Sequence, residues 1–264
     1  MSQPPSPPRR RARMTSWQEW LSLPLLLALW WGLALAVDHR LFPTPLQVLL
    51  RMWDLALHRD LLPDMGTTLL RALVAFVVAM VLGTALGALL GWVRAADRLF
   101  GAWVIVGLNI PAIVVAIACY IWLGLSEFAL ILAVVVNKVP LVTVTMREGV
   151  RALDHGLAEL AAVYRVPFWR RVRRFIVPQL MPYALTAART GLSLIWKIVL
   201  VFEVLGSDGG VGFRVGIFFQ TFDMRGILAY TLAFMTVVLA FEYLVMRPLE
   251  ARVLGWRPAA QPAR

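Results

Sequence analysis

The sequence predicts an all-α polytopic membrane protein with about six transmembrane helices and with both termini in the cytoplasm. Three observations lead to this prediction. Hydrophobic residues make up 60% of the 264 residues and the mean hydropathy is +0.75, far above the average for soluble domains. Apolar runs long enough to cross a bilayer alternate with short polar connections. Arginines are concentrated in alternate connections, which the positive-inside rule assigns to the cytoplasm.

The net charge of +11 at pH 7 is the feature that could indicate nucleic-acid binding. The arginines lie in short segments between apolar runs, however, and the positive-inside rule explains that placement more simply. We therefore expect membrane lipid, and no nucleic acid, among the partners. The single cysteine, Cys119, lies in an apolar run, so no disulfide forms within the chain and a small packing residue is expected.

The N-terminal residues 1–16, rich in proline and arginine, are predicted to form a disordered basic tail. Its arginines precede the first apolar run and so place this terminus in the cytoplasm. A signal peptide is the competing interpretation of residues 1–37. We disfavour it because the apolar run is long and no small-x-small cleavage site leads into a soluble domain.

Six spans follow from the apolar runs. The first, within a predicted segment at 17–40, precedes an amphipathic stretch at 46–58 that we expect along the outer surface. The other spans belong to a main transmembrane domain at 41–250, and the arginines of residues 251–264 predict a cytoplasmic tail. The predicted spans are about 20–37, 67–93, 103–123, 128–146, 183–205 and 227–246.

A stripe of small residues marks the second span. Gly83, Gly87 and Gly91 recur every four residues, a spacing that lets another helix approach closely. The stripe is either a packing face within one subunit or a dimer interface, and we favour the packing face.

The long polar segment at 154–182 lies between the fourth and fifth spans. Asp154 can cap a helix start, and the residue before Pro167 is pushed out of the helical region. The pattern predicts two short amphipathic helices joined by an elbow, with Pro178 and Pro182 closing the segment. The predicted apolar faces are Leu157, Leu160, Ala161 and Tyr164, then Phe168, Val172, Phe175 and Ile176, with Arg170, Arg171, Arg173 and Arg174 opposite the second. A basic interfacial helix bound to anionic headgroups is the alternative interpretation.

The spacing within this segment resembles the EAA loop of importer-type ABC permeases. That loop reads E-A-A, three residues, G, nine residues, I-x-L-P, and the distance from Glu159 to Pro178 fits it without a gap. Leu160 replaces the second motif residue, and Arg165 stands where the family usually has a glycine, which tolerates positive φ. The resemblance implies that the ATPase-coupling residues are Glu159, Leu160, Ala161, Tyr164, Arg165 and Pro178.

The resemblance extends from about residue 41 to about residue 249 and is to the nitrate/sulfonate/taurine group of ABC permeases, which have the MetI-like fold. It rests on the order and spacing of several short matches. These are Phe42-Pro43-Thr44-Pro45, Thr68-Leu69-Leu70-Arg71, Ile110-Pro111, Ile121-Trp122-Leu123-Gly124-Leu125, and Trp196-Lys197 through Glu203.

The resemblance also implies how such a chain works. It would be a non-catalytic subunit of the bacterial inner membrane that pairs with a second permease chain, in a homodimer or a heterodimer. Cytoplasmic ATPase subunits would dock on the EAA loops and bind the ATP, so that no cofactor belongs to this chain. A periplasmic or lipid-anchored solute-binding protein would deliver a small anion such as an aliphatic sulfonate, taurine or nitrate. A thiamine-precursor pyrimidine is the alternative substrate.

Enzyme chemistry is poorly supported by the sequence. It contains no G-x-x-x-x-G-K-[ST] phosphate loop, no H-E-x-x-H metal motif and no G-x-S-x-G nucleophile motif. The three histidines are scattered, so we expect no zinc site. The glycine-rich stretch 206–212 precedes no Lys-Ser/Thr pair and is interpreted as a flexible outside loop.

Polar residues within the spans are the better functional candidates, because charges in the hydrocarbon region usually face a cavity or a partner. We predict that they line a substrate pathway, with Lys138 the best candidate for selecting an anion. The alternative is structural: Lys197 pairs with Glu203, and the asparagines cap backbone near the prolines. A self-contained secondary transporter would need more intramembrane acids and usually an internal repeat. The candidates are Asn109, Asn137, Lys138, Lys197 and Glu203.

Overall fold

A computed structural model describes residues 16–58 and 61–254, and these ranges contain helices and no β-strand. The predicted all-α class is confirmed. Of the predicted tails, residues 1–15 and 255–264 lie outside the described residues. The helices are α1 (Ser16–Val37), α2 (Pro45–His58), α3 (Leu61–Trp92), α4 (Arg94–Asn109), α5 (Ala112–Leu123), α6 (Glu127–Arg151), α7 (His155–Val163), α8 (Phe168–Arg171), α9 (Val177–Gly206), α10 (Val211–Gln220), α11 (Met224–Phe241) and α12 (Arg247–Leu254).

Four stretches of the described chain are long and apolar enough to cross a membrane, and a fifth results if the bent pair α4–α5 counts as one span. Two of the four continue through π-helical turns, so that α8 runs into α9 and α11 runs into α12. Helix α1 matches the first predicted span in position. Large apolar side chains are exposed along these helices, as expected of surfaces that face lipid. The count of six spans stays a prediction.

The third predicted span is not one straight helix. It is broken at Ile110 and Pro111, where α4 and α5 meet at a bend of 97°. Proline lacks the N–H that would continue the helical hydrogen bonds, and its ring crowds the preceding turn. Asn109 donates from Nδ2 to the Ile105 carbonyl at 2.8 Å, which satisfies a carbonyl at the broken end. This is a contact of Asn109 with the backbone of its own helix, as the structural alternative describes, and its place in the substrate pathway stays a prediction.

Helices α3 and α6 pack against each other through the glycine stripe. A Cβ atom on Gly83, Gly87 or Gly91 would lie 2.5–2.6 Å from side-chain atoms of α6. The partner residues are Val142, Met146 and Val150. The favoured interpretation of the stripe as a packing face within one subunit is confirmed, because α6 of the same chain occupies it.

Gly87→Ala is expected to destabilise the protein by about 1–3 kcal/mol, because the added Cβ would overpack the helix contact. It would lie 2.6 Å from the Thr143 carbonyl oxygen, a backbone atom that cannot rotate away. Gly66→Ala on the same helix is the matched control, since nothing lies within 4 Å of its Cβ position. That control should be neutral or stabilising by up to about 1 kcal/mol. Thermal unfolding in detergent compares the two, and equal midpoints would contradict the packing described here.

The boundary predicted between the polar segment and the fifth span is wrong. Helix runs without interruption from Phe168 to Gly206, over 39 residues. Pro178 stands in the first turn of α9, where its missing N–H costs little. The π-helical turn Val172–Ile176 precedes it, and Val177 donates to the Val172 carbonyl. The prolines are thus accommodated within one long helix and do not close the segment.

The glycine-rich stretch 206–212 is not the flexible loop that its composition suggested. Four residues separate α9 from α10, which folds back against both α9 and α11. Gly210 has φ +98°, and a Cβ there would lie 2.5 Å from Glu203 Oε1. Glycine is required at this position both by the backbone conformation and by the close approach of the carboxylate.

Candidate functional site

The segment between α6 and α9 contains the predicted EAA-like loop. The Asp154 carboxylate accepts a hydrogen bond from the Gly156 N–H at 2.8 Å, which confirms its capping role at the start of α7. The Asp154 N–H donates to Gln179 Oε1 at 2.9 Å, and Gln179 Nε2 donates to the Phe175 carbonyl. The start of α7 is therefore tied directly to α9.

Arg165 adopts the conformation that the family's glycine would provide. Its φ is +48°, in the left-handed region, and it lies in the turn after α7. Val166 donates back to the Ala161 carbonyl at 2.9 Å and closes this turn. Pro167 follows as the N-cap residue of α8. The arginine thus keeps the turn at a conformational cost of about 1–2 kcal/mol.

The four residues predicted to form one apolar face of α7 are divided in the structure. Leu160 and Tyr164 are exposed by 49% and 73%. Ala161 is only 2% exposed, so it packs within the chain, and its coupling role stays a prediction. Glu159 is exposed and forms no ion pair with the described arginines of the loop. Leu160 and Tyr164 are the side chains that α7 and its turn offer to a partner.

The second predicted amphipathic face is also corrected. Arg171 does not lie opposite the apolar residues, because positions 168, 171, 172 and 175 have the i, i+3, i+4, i+7 spacing of a single helical face. Arg171 lines a cavity of about 1130 Å³ together with Phe168, Val172 and Phe175. The other three arginines of this helix, at 170, 173 and 174, are exposed and do not line it.

An ion-pair cluster links α4 to the end of α6 beside this cavity. Asp97 Oδ1 accepts from Arg147 Nη1 at 3.0 Å, and Oδ2 accepts from Arg151 Nη2 at 2.5 Å. We call this end of the helix bundle, where α3 and α6 end and α9 begins, the arginine-rich end. The cluster holds α4 against α6 at the point where the chain enters the loop.

A buried charged network lies at the opposite end of the bundle. The Glu203 side chain is completely buried, and Arg71 Nη1 donates to its Oε1 at 2.8 Å. Thr68 Oγ1 lies 2.9 Å from both carboxylate oxygens. Arg71 Nε also donates to Glu127 Oε2 at 2.7 Å, and its Nη2 contacts Glu127 Oε1. We call these residues, together with Asp64, the Arg71 network.

The Arg71 network holds the start of α10. Glu203 Oε2 accepts from the Gly212 N–H and Thr68 Oγ1 from the Val211 N–H, both at 2.8 Å. Asp64 Oδ1 accepts from the Gly210 N–H at 3.1 Å, and its Oδ2 accepts from Arg214 Nε at 2.8 Å. N–H groups at a helix start need such acceptors. The network therefore fixes α10 against α3 and α9.

Three residues of the Arg71 network lie in the short sequence matches, but the sequence did not show that they contact one another. Thr68 and Arg71 belong to one short match to the permease group, and Glu203 belongs to another. Thr68 and Glu203 are 135 positions apart in the sequence. Asp64 was not identified as a candidate. A charged residue within an apolar run usually has a partner, and that rule applied to Arg71 could have found the pair. The alternative in which Lys197 pairs with Glu203 is wrong.

Comparison with protein families supplies the deciding observation. Residues 79–253 match the family described as the binding-protein-dependent transport system inner membrane component. The chain belongs to this family. It is therefore a membrane-embedded permease component of a binding-protein-dependent, ABC-type importer, as the EAA-like spacing predicted.

Individual relatives are similar to the permease over most of its length. The putative aliphatic sulfonates transport permease protein SsuC of Bacillus subtilis (strain 168) is 26% identical over 245 residues, which cover 91% of this chain and 88% of the relative. The formylaminopyrimidine transport permease protein ThiX of Halalkalibacterium halodurans is 24% identical, with coverages of 82% and 86%.

A solved structure supports the fold of the permease. A chain of the MetNI methionine ABC transporter in an inward-facing conformation superposes with a TM-score of 0.61 at 18% identity. The match covers 73% of this chain and 95% of that chain. The MetI-like fold is thus confirmed.

The remaining intramembrane candidates of the permease differ in their surroundings. Lys138 on α6 is 5% exposed and forms no hydrogen bond or ion pair with the described residues. Lys197 on α9 is exposed, Asn137 is half-buried beside Lys138, and Asn109 is at the bend. No hydrogen bond or ion pair joins any two of the five predicted pathway residues, all of which lie in the described part of the chain. The structure thus assigns Glu203 to the Arg71 network and leaves the buried Lys138 side chain with no polar partner among the described residues.

Proposed function

We propose that this permease forms, with a second permease chain, the pathway of an ATP-driven importer for a small organic anion of the aliphatic-sulfonate class. We further propose that the surface of α7 docks on a cytoplasmic ATPase subunit, and that a solute-binding protein delivers the substrate at the opposite end. The observation that supports this proposal most is the pair of exposed apolar side chains, Leu160 and Tyr164, beside the unpaired Glu159 on a short helix at the arginine-rich end.

The connections of α7 suit it to transmit motion. The hydrogen bond between Asp154 and Gln179 joins its start to α9, and α6, which precedes it, is held to α4 by Asp97. A partner that moves α7 therefore pulls on two long helices of the bundle. Packed interfaces of this kind shift between discrete arrangements and do not deform continuously. ATP-driven closure of the partner would switch the pathway in this way.

The substrate class is supported by charge. A lysine buried in a membrane span without a protein partner is costly, so it needs a reason to be kept. A substrate anion supplies the missing partner when it occupies the pathway beside Lys138. The relative SsuC is named for aliphatic sulfonates, and the sulfonate group carries a negative charge.

Lys138→Met is expected to lower the uptake of an aliphatic sulfonate about tenfold or more, because one charge-assisted contact in a pathway contributes on the order of 1.5–3 kcal/mol. Uptake of radiolabelled sulfonate into cells or proteoliposomes measures the effect. Lys197→Met is measured beside it, and a smaller loss of uptake is expected because Lys197 is exposed on α9 whereas Lys138 is buried. Unchanged sulfonate uptake by Lys138→Met would contradict the proposed contact between Lys138 and the substrate.

A pyrimidine is the second candidate substrate, because the relative ThiX is named for formylaminopyrimidine transport. The two candidates differ in charge, and competition separates them. Excess formylaminopyrimidine should leave sulfonate uptake unchanged if the pathway selects an anion. If the pyrimidine is taken up and the Lys138→Met change does not affect the rate of this uptake, the pyrimidine is the better candidate substrate.

A further inference from the structure

We propose that the cavity at the arginine-rich end binds one anionic phospholipid, with Arg94, Arg98 and Arg171 holding its phosphate. The cavity adjoins α7 through Leu157, but Leu160 and Tyr164, the two side chains proposed to contact the ATPase, do not line it. Its volume of about 1130 Å³ exceeds what a small inorganic anion needs and suits a headgroup with the first part of its acyl chains.

The charges within the cavity favour an anion. Four arginines and two acidic residues line it, and one of the acids, Asp97, is paired with Arg147 and with Arg151 of the lining. The side chains of Arg94, Arg98 and Arg171 form no hydrogen bond or ion pair with any described residue. Three arginines from two separate parts of the chain therefore line one cavity without an ion pair to a described carboxylate, and the lining keeps a net positive charge. Guanidinium groups match phosphate oxygens in geometry as well as in charge.

The apolar lining favours a lipid over a soluble anion. Trp92 and Phe168 line the cavity and are exposed by 55% and 70%. Val150 and Phe175 continue the apolar wall inward. The cavity lies beside Trp92, the last residue of the membrane-crossing helix α3, and the ends of such helices belong in the headgroup region. Basic pockets between transmembrane helices on this side of a membrane are suited to anionic headgroups.

The lipid would connect two parts of the chain that share no ion pair. Arg94 and Arg98 belong to α4, whereas Arg171 ends α8. A phosphate held by all three would bridge α4 to the helix that follows the loop. Loss of the lipid would therefore loosen the position of α8 relative to α4.

Lipid retention by the full chain, purified as it comes from membranes, tests the proposal. Native mass spectrometry would compare phosphatidylglycerol with phosphatidylcholine added to delipidated protein. The cavity variant is Arg94→Gln/Arg98→Gln/Arg171→Gln. The control of equal charge, Arg170→Gln/Arg173→Gln/Arg174→Gln, removes three arginines outside the cavity from the helix that carries Arg171. If the triple cavity variant does not fold, the single variant Arg171→Gln replaces it in the comparison of lipid binding.

We expect one phosphatidylglycerol per chain, preferred over phosphatidylcholine by about tenfold or more. The cavity variant should lose this preference and the control should keep it, while Arg171→Gln should weaken binding about fivefold. Equal losses in the two triple variants would overturn the proposal in favour of a diffuse basic surface. Retention that does not distinguish the two lipids would overturn it as well. Displacement of the lipid by millimolar inorganic phosphate would assign the cavity to a soluble anion.

Discussion

Arg71→Met is expected to destabilise the permease by about 3–5 kcal/mol, because it leaves the carboxylate of Glu203 buried without its counter-charge. Glu203 is 0% exposed, and Arg71 is its ion-pair partner at 2.8 Å. The change also removes the contacts of Arg71 to Glu127 and to the Gly209 carbonyl. Thermal unfolding of the purified protein in detergent, together with its yield from membranes, measures the loss.

A more exposed ion pair provides the control for this prediction. Arg51 pairs with Asp223 at 3.3 Å, and the two side chains are 32% and 29% exposed. Arg51→Met should cost no more than about 1 kcal/mol. The double variant Arg71→Met/Glu203→Met removes both buried charges and should recover part of the loss. An unfolding midpoint of Arg71→Met equal to that of Arg51→Met would show that the network does not stabilise the fold.

Leu160→Asp is expected to weaken binding of the ATPase subunit about 30-fold or more, as for other apolar anchors that contribute at least about 2 kcal/mol. Leu160 is 49% exposed on α7, so the change places a charge in the contact without disturbing the interior of the permease. Titration of the reconstituted permease with the ATPase subunit measures the affinity, and substrate-stimulated ATP hydrolysis measures the coupling.

Two further variants make this result specific. Leu160→Met conserves volume and polarity and should retain coupling. Glu159→Ala should have a smaller effect than Leu160→Asp, because an exposed charge at the rim of a contact contributes little. If Leu160→Asp binds the ATPase as tightly as the unchanged chain, the docking surface lies elsewhere on the arginine-rich end.

Much of the fold could be predicted because membrane helices are specified locally. Long apolar runs, the arginine distribution and the glycine stripe each follow from the chemistry of the bilayer. The helices α3, α6, α9 and α11 accordingly lie close to the predicted spans. The break within the third span has a local signature too, in Asn109-Ile110-Pro111. Its 97° bend was missed because proline predicts an interruption but not the angle between the two parts.

The sites were harder to predict, since they depend on contacts between distant parts of the chain. The Arg71 network joins residues from α3, α6 and α9 and holds the start of α10, and no local pattern connects them. Local chemistry also misled at the glycine-rich stretch 206–212, whose composition is typical of a flexible loop. Its glycines instead allow the buried Glu203 carboxylate to reach the backbone N–H of Gly212. The face of the helix at 168–175 was misjudged because the arginines were treated as one group.

The most direct test of the central claim is whether this permease captures an ATPase subunit and needs ATP to move solute. The chain would be purified from membranes with its candidate ATPase, reconstituted into liposomes, and supplied with the binding protein and a labelled sulfonate. We expect co-purification of the ATPase and uptake that requires ATP. A chain that captures no ATPase and still moves the sulfonate without ATP would contradict the account and would indicate a self-contained secondary transporter.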